Sequence, residues 1–226
     1  QLTFDPNTDS HHSWSPDGDR IVFASRRLSD SGDIFLLSAD GSGDVEPLVV
    51  DPGSNWQPSW SADYIWYMQA EQGHDQDLWY ISLDGKTESR QFTDTPFGET
   101  WPRMSPDGRF VAYVSDESGQ REVYIRRFPG GEDKRKISID GGRYPVWNRR
   151  GRELYYVERD NLMAVPIDTY PSLKVDAPTR LFSWDDDLER RFDATADGQR
   201  FVVVQSVGTE TITVVQNWYA EFKDKQ

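Results

Sequence analysis

The chain contains no cysteine. Disulfides, thiolate nucleophiles and cysteine-ligated zinc are therefore excluded. The compartment stays open on this ground, because many exported bacterial proteins also lack cysteine. No apolar run approaches the roughly eighteen residues that a membrane helix needs, so direct membrane insertion is not expected. Positive charge is scarce: 25 Lys and Arg stand against 39 Asp and Glu, a net charge of −14. Phosphate binding draws its affinity from clustered cations, so neither nucleic acid nor an anionic membrane surface is an expected partner. The acidity reads as solubility. No G-x-S-x-G elbow occurs, which removes the serine hydrolases built on one. Only three histidines are present, His11, His12 and His74. Adjacent residues of a strand point to opposite faces, so His11 and His12 read as a loop pair leading into the first repeat rather than as a metal site.

What the chain has in quantity is aromatic surface and turns. Its 226 residues include nine tryptophans, and aromatics make up 13 % of the whole. That length suits one large all-β domain. The mean hydropathy of −0.76 fits many short strands joined by polar turns. Because it begins at Gln1 rather than methionine, the chain reads as processed or excised from a longer protein.

The organising signal is Ser105-Pro106-Asp107-Gly108 and its copy Ser15-Pro16-Asp17-Gly18. Proline sets φ at the first central position of a type I turn, aspartate tolerates the next, and glycine closes it. Ala62-Asp63, Arg149-Arg150-Gly151 and Ala196-Asp197-Gly198 are weaker copies. Around each lie short β-branched and aromatic runs bounded by Gly, Asp and Pro, the strand signature. A four-strand unit recurring every forty-odd residues matches the blade of a β-propeller. The expected fold is therefore all-β, a propeller of four-stranded antiparallel blades at about 4–50, 51–93, 94–138, 139–183 and 184–218. The fifth unit lacks a fourth strand, which Gln1-Leu2-Thr3 could supply, closing the ring and hiding its sheet edges. Trp218 to Lys225 reads as a short helical or frayed tail, with 219–226 outside the domain. Trp14, Trp60 and Trp147, with Met104, fall at one equivalent inner-strand position and are expected to pack between blades.

The segments entering the inner strands should converge at one end of the channel. In register they are Ser10-His11, Trp56-Gln57, Thr100-Trp101, Arg143-Tyr144 and Arg190-Arg191. Aromatics and arginines dominate binding hot spots. His11, Trp56, Gln57, Trp101, Arg143, Tyr144, Arg190 and Arg191 are thus the candidate ligand-binding residues, for a protein or peptide partner or a small, acidic ligand. Ordinary rim packing is the competing reading. Channel carboxylates would mark a glycosidase or lactonase instead. The inner-strand positions Ser13, Ser59, Arg103, Val146 and Asp193 supply only one, so no catalytic residue is expected. Asp40-Gly41-Ser42-Gly43-Asp44 resembles half a calcium loop without its closing glutamate, and Asp185-Asp186-Asp187 is a second acidic knot. Both read as exposed turns before they read as calcium sites, so no cofactor is expected.

The Trp-Ser pairs before the Ser-Pro-Asp-Gly turns, with Asp33-Ile34-Phe35 and Asp77-Leu78-Trp79-Tyr80, resemble the WD40-like repeats of TolB-type β-propellers. Arg121 to Gly130, Gly141 to Trp147, Arg152 to Tyr156 and Ile212 to Trp218 are similar to the C-terminal propellers of large bacterial proteins, many of which carry a serine/threonine kinase domain ahead of them. The resemblance implies a sensor or scaffold module without chemistry of its own, placed in the periplasm or outside the cell. It also implies six blades and an N-terminal α/β domain. Five repeats are visible here and no α/β pattern.

Overall fold

The computed structural model describes residues 1–71, 75–84, 88–183, 188–207 and 209–216. Strands and turns account for all regular structure among them, with no helix. Five antiparallel sheets follow one another along the chain. The first holds β1 (Asp9–Trp14), β2 (Arg20–Ser25), β3 (Asp33–Ser38) and β4 (Glu46–Val49) in that order. The second holds β5 (Ser54–Ser61), β6 (Tyr64–Ala70), β7 (Gln76–Ser82) and β8 (Ser89–Gln91), and the third β9 (Glu99–Met104), β10 (Phe110–Ser115), β11 (Glu122–Arg127) and β12 (Arg135–Lys136). In the fourth, β13 (Arg143–Trp147), β14 (Glu153–Glu158) and β15 (Asn161–Asp168) are followed by β16 (Lys174–Val175) and β17 (Thr179–Ser183), both of which pair with β15. The fifth is β18 (Leu188–Ala194), β19 (Arg200–Val207) and β20 (Thr209–Gln216). Two compact units result, residues 1–103 with 115–119, and residues 104–114 with the chain from 120 onward.

The turns form for the reason their sequence gives. In the first, the Gly18 N–H donates to the Ser15 carbonyl at 3.0 Å, and the Ser15 hydroxyl donates to Asp17 while accepting from the Arg20 N–H at 2.9 Å. Ser105 and Asp107 repeat this, as do Thr195 and Asp197. Asn148 replaces the hydroxyl in the fourth sheet, its Oδ1 accepting from the Arg150 N–H at 2.8 Å. In the second sheet Ala62 and Asp63 alone connect Ser61 to its partner Tyr64. The hydroxyl bond from Ser15, followed by that from the Asp19 N–H, holds the Asp17 carboxyl below the ordinary carboxylate range.

The second strands of the first and third sheets read as continuous apolar runs because both faces are covered. Residues 21–25 of β2 and 110–115 of β10 are buried throughout. In the first unit, Val22, Ala24, Ile34, Leu36 and Val49 of the first sheet pack against Ile65, Tyr67 and Ile81 of the second. The alternate residues Phe23, Phe35 and Leu37 form a separate cluster on the opposite face, as a period of two requires. In the second unit, Tyr155, Val157, Leu162, Ala164 and Leu181 of the fourth sheet pack against Phe201 and Val203 of the fifth. Burying such side chains contributes about 1.5–3 kcal/mol each.

Two features differ from the expectation. Residues 1–3 lie in no strand, and the fifth sheet holds three strands among the described residues. The N-terminal segment is instead held by the first sheet. The Thr3 hydroxyl donates to Asp9, and Leu2 lies against the turn at Gly41. Asp9 also receives the Arg27 guanidinium through both oxygens, at 3.1 and 3.2 Å. Burial works against its charge, but bonds from Ser25, Thr3 and Arg27 outweigh it and keep the pKa low. Second, the inner strands begin earlier than the sequence indicated: β1 at Asp9, β5 at Ser54, β9 at Glu99 and β13 at Arg143. The expected tail from Trp218 to Lys225 lies outside the described residues.

Candidate functional site

The residues expected to form the rim therefore sit within the inner strands. They mark a backbone irregularity that each copy shares. His11, Gln57, Trp101 and Tyr144 all adopt the left-handed conformation, with φ of 50°, 57°, 57° and 55°. Each stands three positions ahead of the equivalent Trp14, Trp60, Met104 or Trp147. In β1, β5 and β13 the pairing register shifts at this point, between Ser10 and Ser13, Trp56 and Ser59, and Arg143 and Val146. β18 also shifts, one position earlier relative to Ala194, between Glu189 and Phe192. These are β-bulges, which bend a strand and re-aim a side chain. A non-glycine residue in this conformation costs roughly 1–2 kcal/mol and persists only where its surroundings impose it.

In the first unit the bulges bring four of the expected residues together. The His11 ring meets Trp56 edge-on at 6.0 Å and Trp101 at 5.5 Å. The Trp101 N–H donates to Gln57 Oε1 at 2.8 Å, so the glutamine of one strand satisfies the bulge of the next. All four are half-buried. Trp56 is fixed from several sides. Its Nε1 donates to Ser54 Oγ at 2.7 Å, and Arg26 lies over its ring at 5.2 Å. Gly32 lies flat beneath it: a Cβ there would come within 2.4 Å of the indole, and the φ of +95° independently favours glycine. An exposed arginine over one half-buried indole, with an imidazole between that indole and a second, makes an amphipathic surface of the kind that anchors binding. Arg26, Gly32 and Ser54 belong to this arrangement and went unrecognised in the sequence, since each lies in or beside a polar loop without a repeating signal.

In the second unit Arg143 is exposed and Tyr144 half-buried. Tyr144 leans on the cluster around Phe201, beside Phe182 and Phe192. Arg190 and Arg191 lie in the backbone of β18, and their side chains are outside the described residues. So are His74 and Asp185-Asp186-Asp187. Asp40 sits in an exposed turn, its Oδ1 accepting from the Ser42 N–H at 2.8 Å. Among the described residues no three His, Asp or Glu side chains are grouped to hold a metal ion.

A search against protein-family models finds no match. Over 159 residues the chain is 29 % identical to an uncharacterized protein of Agrobacterium fabrum, a span covering 65 % of this chain and 53 % of the relative. It is 31 % identical over 121 residues to the Tol-Pal system protein TolB of Bordetella pertussis, covering 53 % of this chain and 27 % of that protein. The chain thus spans about half, or less, of the length of these relatives. Among solved structures it superposes on TolB from Acinetobacter baumannii with a TM-score of 0.75 at 17 % identity, over 93 % of this chain and 52 % of that one. The fold is that of a TolB-type β-propeller. An oligogalacturonate lyase in complex with manganese shares it, with a TM-score of 0.66 at 13 % identity over 96 % of this chain and 67 % of that chain. A TolB-type sheet arrangement is therefore common to proteins with and without named enzymatic activity, and the fold alone does not choose between them. No helix among the described residues is long and apolar enough to cross a membrane.

Proposed function

We propose that this TolB-type propeller is a non-enzymatic binding module, acting as a scaffold or sensor region of a bacterial protein in the periplasm or outside the cell. The observation that carries this reading is the recurrence of a strained, non-glycine bulge in four inner strands, each bearing a large or polar side chain. Strain repeated at equivalent positions is retained where it serves recognition or catalysis. The residue types favour recognition: His11, Trp56, Gln57 and Trp101, with Arg143 and Tyr144, are hot-spot chemistry and include no carboxylate. The proposed ligand is a protein segment or peptide that lays apolar and acidic groups on the indoles and arginines. The likeness to TolB supports a protein partner.

The test is capture of peptides from a random display library on the immobilised chain. Trp101→Asn keeps a residue that tolerates the left-handed conformation, and Arg143→Ala removes an exposed side chain, so neither should unfold the sheets. Each should reduce capture by about tenfold, the loss of roughly 1.4 kcal/mol expected of one anchor. Capture unchanged in both variants would dispose of the inner-strand residues of either unit as binding anchors.

A further inference from the structure

The turn between β13 and β14 departs from its equivalents in charge. Where the first, third and fifth sheets carry Asp17, Asp107 and Asp197, it carries Arg150, flanked by Arg149 and Arg152. In the sister turns the aspartate has a structural task, accepting the hydroxyl and an N–H of its own turn. Here Asn148 closes the turn instead. Its carbonyl accepts from the Gly151 N–H and its Oδ1 from the Arg150 N–H, both at 2.8 Å, while its own N–H donates to the Glu153 carbonyl at 2.9 Å. None of the three arginine side chains is needed to hold the turn. All three are exposed, and none has a carboxylate within ion-pair distance among the described residues. Nearby acids are already engaged. Glu153 accepts from the Tyr155 hydroxyl at 2.7 Å, Asp107 from the Ser105 and Thr169 hydroxyls, each at 2.6 Å, and Asp197 from the Thr195 hydroxyl. Asp168 is exposed on the next loop and pairs with none of the three.

Two neighbouring loops of the same unit extend this surface. A Cβ on Gly151 would lie 3.5 Å from Pro106, so the turn rests on that of the third sheet. The Ile167 N–H donates to the Arg152 carbonyl at 2.9 Å, and the loop that follows reaches Asp107 through Thr169. There the Arg109 guanidinium lies over the Tyr170 ring at 4.6 Å, and Tyr170 is 71 % exposed. Guanidinium groups are planar forks that match carboxylates bidentately, and arginine with tyrosine is anchor chemistry. A nucleic acid or an anionic membrane would also bring long runs of negative charge against a chain of net charge −14, whereas a short acidic segment meets this surface alone. We propose that Arg149, Arg150 and Arg152, with Arg109 and Tyr170, dock a protein segment carrying neighbouring carboxylates. β13 runs from Arg143 to Trp147, so the surface lies at the opposite end of that strand from Arg143 and is distinct from the inner-strand site.

The experiment is fluorescence anisotropy of labelled hexaglutamate with the whole chain, at about 0.15 M salt, where charges beyond roughly 8 Å are screened. Labelled oligothymidylate and phosphatidylglycerol vesicles are run in parallel. Hexaglutamate alone should bind. Arg149→Gln with Arg150→Gln should weaken it about tenfold. Arg121→Gln with Arg135→Gln removes the same charge from exposed positions outside this surface and should change it by less than about twofold. Tyr170→Ala should weaken it several-fold. Arg143→Ala should leave it unchanged, so failure here and failure of the inner-strand site read out separately. Absence of hexaglutamate binding would overturn the proposal. Equal weakening by the two double variants would do the same, by showing diffuse attraction. So would binding of oligothymidylate or vesicles that depends on Arg149 and Arg150, which would make the surface a phosphate site. If the Arg149 and Arg150 double variant does not fold, Arg150→Asp decides: it restores the residue of the sister turns, and hexaglutamate binding should be lost.

Discussion

Asp33 and Glu122 hold the same place in the first and third sheets, at the head of the third strand, and both are wholly buried. Their carboxyls are nevertheless pushed in opposite directions. Burial opposes ionisation in both. At Glu122 it is overcome by the Ser138 hydroxyl, Gln120 Nε2 at 2.8 Å, the Gly141 N–H at 3.1 Å and Lys136 Nζ at 3.4 Å, so the pKa falls. At Asp33 a single donor is in place, the Ser29 hydroxyl at 2.8 Å, while Oδ1 has none and Asp51 adds repulsion, so the pKa rises. The missing donor can be named. Thr93 and Ser138, each two residues past the fourth strand, and Ser183, at the end of β17, donate to a residue at or next to the head of the third strand, namely Asp77, Glu122 and Asn161. Val49 pairs with Ile34 as Phe182 pairs with Leu162, so by continuation of the register the next residue, Val50, is the counterpart of those hydroxyls, although its own side chain is exposed. Donor count, more than burial, sets the sign of the shift.

The largest effect should come from imposing the first sheet's pattern on the third. Ser138→Val leaves the buried Val123 N–H without its acceptor and leaves Glu122 Oε2 with the Gly141 N–H alone, at a cost of about 2 kcal/mol in denaturant unfolding. Part of this cost depends on pH. A lowered carboxyl stabilises the fold above its unfolded pKa, and that gain is lost as pH falls through the folded value. Ser138→Val should shrink the acid-dependent portion.

The reverse change, Val50→Thr, offers Asp33 a hydroxyl from an exposed position. It should stabilise the protein by about 1 kcal/mol and lower the Asp33 pKa in a carboxyl NMR titration. An unchanged titration would mean that the register argument fails at this corner.

The smallest effect belongs to Asp33→Asn. A raised carboxyl favours the fold fully below its unfolded pKa, and this advantage is lost as pH rises through the folded value. The variant should be within about 0.5 kcal/mol of wild type in acid. Toward neutral pH it should gain on the wild type, because it has no charge to bury. Unfolding curves across that window check the sign.

Much of the architecture was legible because its signals are local. Ser-Pro-Asp-Gly forms its turn wherever it occurs, and apolar runs such as Ile21 to Ala24 or Phe110 to Val114 have no polar face to turn outward. The bulges were not legible. His11, Gln57, Trp101 and Tyr144 share a backbone conformation but no side-chain type, and glycine, the usual marker of positive φ, is absent from all four. The residues themselves were picked out by composition, yet their contacts depend on Gly32, Ser54 and Arg26, whose roles are set by packing across sheets. Trp14 was expected to be covered like its equivalents, since nothing in its local sequence separates it from Trp60, yet it is 53 % exposed, with no sheet before the first to cover it as the first covers Trp60. The short β16 escaped notice for a different reason: Lys174-Val175 is too brief for any period to register.

The shared bulge has a consequence for redesign. Because histidine, glutamine, tryptophan and tyrosine are all presented on the same main-chain path, the path does not depend on what it presents. Each inner strand behaves as a socket of constant shape. Exchanging the occupants, with asparagine or glycine as blank inserts, should retune what the module recognises while leaving the sheets that hold the sockets unaltered.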